Sequence, residues 1–464
     1  MPGLGAPWPA SAIPTTSGDL TVGGVGLAEA ADRFGTPLYV LDEGEFRSRC
    51  RSYRSAFPAA EVLYAAKAFL SSAVAGWVAE EGLGLDVCSE GELRLAAAAG
   101  FPAERILLHG NAKSPEELRL ARRLRVGRIV IDNHAEIARL AALTVADVPQ
   151  RVLVRVVPGI AAGHHEAVRT GVTGQKFGFA LDGNGAGPDD HDGAGAAPAG
   201  RGQQQPQPQP RGGDAAEAVR RVLDQPGLVL TGLHCHLGSQ ITSPAPYLTA
   251  VDRLVGLLAT LRDRHGVQLP ELDLGGGHGV PYLPGGAGLD PHRFAAALGR
   301  RLAEQCARHR LDVPRLLLEP GRAVAAPAGV AVYRVLTVKT AADGRVFAAV
   351  DGGMSDNPRP ALYGSRYCAR LVGRTPTVPG LREVDVVGRH CEAGDVLVRA
   401  ARLPADLRPG DLLAVPAAGA YQLSMASGYN LVGRPAVAAV RDGRARLLIR
   451  RETVEDFRAR EVHP

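Results

Sequence analysis

Lys67 is one of four lysines in a chain whose other cations are arginines, and it closes the apolar run Val62-Leu63-Tyr64-Ala65-Ala66. Taking an amine out of water favours its neutral form, the form that condenses with an aldehyde, so a lysine at the end of a buried strand is a candidate for Schiff-base chemistry. By itself the position equally suits a lysine that lies along a strand end with its ammonium in solvent. Three other segments carry groups of complementary chemistry. Asp273-Leu274-Gly275-Gly276-Gly277-His278-Gly279 places side-chain-free residues directly after an apolar run, where backbone N–H groups can close around a phosphate, although a flexible loop also uses glycine. Leu318-Glu319-Pro320-Gly321-Arg322 brings together an acid and a guanidinium, a couple that serves elsewhere as a structural ion pair. His234-Cys235-His236-Leu237-Gly238-Ser239-Gln240 offers an imidazole, His236, for the face of an aromatic ring and a hydroxyl, Ser239, for an anion. Two histidines two apart with no third ligand nearby make a poor zinc site, and no metal is expected.

Something must hold these segments against one another. Short β-type runs alternate with helical stretches, the pattern of parallel strands joined by crossover helices. The runs are Val62 to Ala66, Leu83 to Val87, Ile106 to Leu108, Arg128 to Ile131, Val152 to Val157, Leu228 to His234, Leu272 to Leu274 and Leu316 to Leu318. Eight such runs predict an α/β fold, a (β/α)8 TIM-like barrel. Ser114-Pro115-Glu116-Glu117 carries the cap, first-turn proline and returning acid of a helix start; Ser89 with Glu92 repeats the spacing, and Gly100 ends that second helix. A barrel builds its site from the carboxyl ends of its strands. Those positions hold Lys67, Asp86, His109, Asn111, Asp132, Arg155, His236, Ser239, Gly275, Gly276, Gly277, Glu319 and Arg322.

Between Asp182 and Asp214 the Gln/Pro-rich stretch has almost nothing apolar to bury, and a disordered insert after the fifth strand is expected. Beyond Arg322 the pattern changes to β-runs and hairpin turns such as Asp343-Gly344 and Asp442-Gly443. The expected division is a barrel over 43–318 and a second, mainly β C-terminal domain formed by 319–464 together with 1–42.

At 464 residues with 45% hydrophobic and 22% charged residues, the chain has the length and composition of a two-domain globular protein. No apolar run is long enough to span a membrane, and the first thirty residues lack the pattern of a signal peptide. The six cysteines show no paired spacing, so reduced thiols and a cytoplasmic location are expected. Net charge is +5, but the arginines are interspersed with acids and aromatics are only 5%, which argues against a nucleic-acid partner.

Taken together the lysine, glycine run, histidine, serine and acid make a site for pyridoxal 5′-phosphate. An acid against the pyridine nitrogen keeps that ring an electron sink, which carbanion chemistry requires. The chain resembles the diaminopimelate decarboxylases of the alanine-racemase-like (fold type III) group from about Thr36 onward. The matching stretches are Tyr64-Ala65-Ala66-Lys67-Ala68, Leu85 to Ser89, Gln175-Lys176-Phe177-Gly178, His234 to Gln240, Asp273 to Gly279 and Glu319 to Arg322. Later come Asp351-Gly352-Gly353-Met354, Arg359-Pro360-Ala361-Leu362-Tyr363, His390 to Asp395 and Gly419 to Ser427. The resemblance implies that Lys67 carries the cofactor. It implies that Asp86, His236, Ser239, Gly275 to Gly277, Glu319, Pro320, Gly321, Arg322 and Tyr421 surround the cofactor. It further implies that Arg322, Arg359, Tyr363, Glu392 and Tyr421 bind substrate, and that Cys391 protonates the carbon that has lost CO2. In such enzymes Cys391 and Glu392 would reach a partner's site, so a homodimer with shared active sites is implied, with no nucleic acid and no membrane as partner. The implied reaction is decarboxylation of meso-2,6-diaminoheptanedioate to L-lysine, the last step of lysine biosynthesis by the diaminopimelate route. A decarboxylase of arginine or ornithine, a racemase and a non-catalytic regulatory homologue share the barrel; the pairing of Arg359 with Glu392 and the retention of Lys67 and Cys391 argue for the first reading.

Overall fold

The computed structural model describes residues 3–163, 171, 175–181 and 215–462. The Gln/Pro-rich segment falls outside the described residues.

Eight parallel strands close on themselves: β1 (Glu61–Ala65), β2 (Gly84–Val87), β3 (Ile106–Leu108), β4 (Arg128–Ile131), β5 (Gln150–Val157), β6 (Leu228–His234), β7 (Glu271–Asp273) and β8 (Arg315–Leu318). Each pairs with the next in sequence, and β8 pairs with β1 to complete the ring. A helix follows every strand, from Ser72–Glu80 after β1 to Arg322–Ala328 after β8. The strands begin or end within two residues of the runs read from sequence. The difference that matters is at β1, which stops at Ala65, so that Ala66–Ala68 forms one turn of 3-10 helix and carries Lys67 round the rim.

Alternation along the strands sorts the barrel interior into layers. At the amino ends Arg128 donates to Glu271 (2.6 and 2.9 Å) and to Glu61 (2.9 and 3.1 Å), an ionic plug joined by Arg151 and Arg315. Two residues further along lies a wholly buried apolar layer, Leu63, Leu107, Val130, Leu153 and Leu317. Two further again, the same strands deliver Ala65, His109, Asp132, Arg155 and Glu319. Thus the polar layer at the carboxyl ends is set by register, stacked on a greasy floor that keeps water from below.

The helices are capped as their sequences require. Ser114 accepts the N–H of Glu117, whose carboxylate returns to the Ser114 N–H. At the second site Ser89 accepts from Glu92, but the Glu92 carboxylate turns instead to the Cys88 N–H (2.8 Å), one residue earlier than a reciprocal box requires.

The remaining strands form a second sheet. Its spine is β9 (Gly329–Thr340), which pairs with β10 (Val346–Val350), with β13 (Leu412–Pro416) and with the N-terminal strand Leu38–Asp42. β11 (Leu381–Val387) and β12 (Val396–Pro404) extend one edge. β14 (Ala436–Arg441) and β15 (Arg444–Ile449) extend the other, joined by Asp442-Gly443 with both residues at positive φ, the requirement of a tight hairpin. Because Leu38–Asp42 lies between β9 and β14, the chain start is built into this sheet.

Candidate active site

The barrel mouth opens into a cavity of about 950 Å³. Among its lining residues are Lys67, His236, Ser239, Glu319, Arg322 and Tyr421, and it extends to Arg359 and Tyr363. Asp86 lies just behind the wall. Lys67 Nζ stands 3.8 Å from Asp86 Oδ2 and 3.5 Å from His109 Nε2, while His109 Nε2 is 3.1 Å from Asp86 Oδ1. Burial alone favours a neutral amine, yet the acidic groups around it, Asp86 foremost and Glu319 beyond, outweigh burial and raise the Lys67 pKa. The sequence had suggested the opposite shift, because it does not show that two acids face this nitrogen. His109 and His236 are both held well below the usual imidazole range, by burial first and then by Lys67, so both rings are neutral.

Glu319 sits at the floor of the mouth. Burial works against its ionisation, but its contact with His234 and the nearby Lys67 ammonium hold its carboxyl well below the usual range. Asp86 and Asp273 are pushed the other way by burial and by the Glu319 charge. His234 Nε2 lies 3.2 Å from Glu319 Oε1 without hydrogen-bond alignment, and neither Glu319 oxygen has a hydrogen-bond partner among the described residues. His234, Asp273 and Glu319 bring ligand atoms within 4.8 Å of one another, a trio not assembled from the sequence. Burial lowers the His234 pKa and, with the Glu319 carboxylate beside it, raises that of Asp273.

The glycine run earns its composition through packing as well as N–H groups. A Cβ on Gly275 would meet Cys235 O at 2.5 Å, on Gly276 Glu319 O at 2.1 Å and on Gly277 Gly238 O at 2.2 Å, and Gly275 and Gly277 have φ of +66° and +89°. The N–H of Gly275 is taken by Asp273 Oδ1 (2.8 Å) and that of Gly276 by His236 Nδ1 (3.2 Å). Gly277 lines the cavity, with Ser239 and Gly321. The Pro320 carbonyl accepts from Ala65 N–H (3.3 Å), locking the β8 loop to β1. Buried acceptors of Glu319 and this glycine-lined pocket fit the ring and phosphate of a pyridoxal group.

Tyr421 arrives from the second sheet at φ +58°, its N–H bonded to Ala68 O (2.9 Å) and its ring 4.7 Å from the Arg322 guanidinium. Arg322 donates to Ser239 Oγ (2.9 Å) and Tyr282 Oη (2.5 Å); Arg359 donates to Tyr282 Oη (2.9 Å) and Tyr367 Oη (2.6 Å). Neither Tyr282 nor Tyr367 was singled out from sequence, and nothing in their spacing marks them. His234 and Asp273 were legible, as members of motifs and by the period-two register. Cys391 and Glu392 are not brought to this cavity: both side chains are exposed, and Glu392 accepts from Tyr429 Oη (2.6 Å).

Residues 43–187 and 211–326 match the family model of the pyridoxal-dependent decarboxylase, pyridoxal binding domain. The chain is 54% identical to a diaminopimelate decarboxylase of Actinosynnema pretiosum subsp. auranticum, over 96% of this chain and 93% of the relative. It is 44% identical to that of Mycobacterium tuberculosis (strain ATCC 25618 / H37Rv), over 98% and 97%. The solved diaminopimelate decarboxylase from M. jannaschii in complex with L-lysine superposes with a TM-score of 0.84 at 27% identity, covering 98% of each chain.

Proposed function

The chain belongs to the pyridoxal-dependent diaminopimelate decarboxylases, and on that premise we propose how its residues divide one reaction among themselves. That reaction converts meso-2,6-diaminoheptanedioate to L-lysine and CO2, the last step of lysine biosynthesis by the diaminopimelate route, with pyridoxal 5′-phosphate as cofactor. When bound, the cofactor supplies an electron sink for the pair left by the departing carboxylate. The barrel over 43–318 would hold it. Lys67 would tether it, neutral His236 would cover one ring face, and Glu319 would meet the ring nitrogen. Ser239, Gly275 to Gly277, Pro320 to Arg322 and Tyr421 would enclose the phosphate end.

Lys67, Asp86 and His109 keep a proton within reach of the reacting nitrogen. Arg322 and Arg359, with Tyr363, bind the carboxylate that the product retains, by charge-assisted hydrogen bonds. Holding the substrate there fixes which carboxylate stands free to leave. Cys391 and Glu392 are exposed in the isolated chain, so we assign them to the mouth of a second copy, where Glu392 would meet the distal amine and Cys391 would deliver a proton to the carbon that has lost CO2. A homodimer with shared sites and a cytoplasmic location complete the reading; no described helix is long and apolar enough to cross a membrane.

The observation that carries this assignment is the shared cavity: an amine on the rim at Lys67 and two guanidiniums, Arg322 and Arg359, converging on one oxygen opposite it. CO2 release from meso-diaminopimelate, ornithine and arginine, with Lys67→Ala as control, tests it. Turnover of meso-diaminopimelate alone is expected, and equal turnover of ornithine would overturn the substrate assignment.

A further inference from the structure

Tyr282 belongs to the loop that leaves the glycine run, and the Gln240 side chain pins that loop by bonding both the N–H (3.2 Å) and the carbonyl of Val280. Its hydroxyl oxygen accepts from Arg322 Nη1 (2.5 Å) and from Arg359 Nη1 (2.9 Å). The two guanidiniums also lie against its ring, with centres 5.8 and 4.9 Å from the ring centroid. Both arginines are nearly buried, at 8% and 6% exposure, and among the described residues neither forms an ion pair with an acid. Two like charges sharing one small volume repel, and an oxygen between them offsets that repulsion. The two cations accordingly draw the Tyr282 phenol below its usual range, against the effect of burial. Tyr367 packs edge-on against the Tyr282 ring at 5.2 Å and takes a second bond from Arg359, so the tyrosine is braced from behind.

We propose that Tyr282 is a positioning residue for substrate selection: its oxygen holds Arg322 and Arg359 convergent, spaced to grip a carboxylate from two sides. The proposal rests on the assignment of these arginines to the carboxylate that the product keeps. Without the shared oxygen the guanidiniums move apart, and a carboxylate must draw them together at its own cost in binding. A substrate lacking that carboxylate gains nothing from the arrangement, which makes Tyr282 a determinant of dicarboxylate over monocarboxylate substrates.

Tyr282→Phe in the holoenzyme removes the oxygen and keeps the ring that packs on Tyr367. Loss of hydrogen bonds to charged groups should raise KM for meso-diaminopimelate about 10- to 100-fold, with a far smaller change in kcat. L-Lysine keeps the gripped carboxylate, so its competitive inhibition constant should rise by the same factor. The cofactor absorption band and the thermal midpoint should stay as in the unaltered enzyme. Unchanged KM and lysine inhibition would overturn the proposal. So would a joint collapse of kcat, cofactor retention and thermal midpoint, which would make Tyr282 a structural residue. If the unaltered enzyme released no CO2 from meso-diaminopimelate, the reaction assigned above would fall first, and this proposal with it.

Discussion

Around Lys67, burial and charge pull in opposite directions, and charge wins. The same contest goes to burial at His278, the residue that follows Gly277 and packs among Tyr53, Tyr247 and Phe294. Its side chain is 1% exposed, stacked on Tyr53 with Nδ1 2.9 Å from the phenol oxygen, and burial holds its pKa down to about 3. An unfolded histidine titrates near about 6.5. Between those values the unfolded chain binds a proton that the folded chain refuses, so stability falls as pH drops through that window, by at most about 1.4 kcal/mol per pH unit for this one group. His278→Gln keeps a hydrogen-bonding partner for Tyr53 and removes the titration. Thermal midpoints measured from about pH 6.5 to about pH 4 should therefore decline less steeply in the variant. An equal slope would show that acid sensitivity arises elsewhere.

At the scale of elements, the loops after β3 and β4 are held by one buried ion pair. Lys113 is 2% exposed and lies 2.9 Å from Glu136, and its ammonium also donates to Gly110 O at 2.6 Å. Glu136 in turn accepts the N–H groups of Lys113 (3.1 Å) and Asp132 (3.0 Å). Lys113→Ala would leave that carboxylate buried and unpaired, which costs about 3–5 kcal/mol. Chemical denaturation should show a loss of that order, and the loop bearing His109 should loosen with it. A loss below about 1 kcal/mol would mean that water or a rearranged loop replaces the amine. These elements were readable in advance because apolar runs, Ser114 and Gly100 obey local rules. What local rules do not carry is the meeting of distant loops: Tyr282 matters only because Arg322 and Arg359, from different elements, both point at it, and Tyr367 only because Arg359 reaches it as well. The β1 boundary was misplaced by one residue for a similar reason, since Ala66 is as apolar as a strand residue but turns to bring Lys67 over Asp86.

At the scale of the molecule, the second sheet contributes Tyr421 to the barrel's own mouth and leaves Cys391 and Glu392 outward. The motif around His390 to Asp395 was legible as a resemblance, whereas its position relative to Lys67 was not, because that depends on how a domain is carried on β9. His390 bonds Ser355 and Asn430 (both 2.8 Å), and Asp395 receives the N–H groups of Met354 and His390, so the Cys391 turn is held rigid at the surface. The sharing of sites proposed above for a homodimer predicts complementation. Lys67→Ala and Cys391→Ala variants, each inactive alone, should regain about a quarter of full activity when mixed and allowed to exchange subunits, since about half of the dimers then carry one intact site. No recovery with demonstrated exchange would show that Cys391 does not serve the partner's Lys67, and so that the sites are not shared.

The account turns on a covalent link between the Lys67 amine and the cofactor. Four lysines are available, and Lys113 lines the same cavity, held by Glu136. Borohydride reduction of the holoenzyme, followed by peptide mass mapping, reads the link directly. A pyridoxyl mass on the peptide containing Lys67, absent from Lys67→Ala, is the predicted result. The same mass on Lys113, or on no lysine at all, would contradict it.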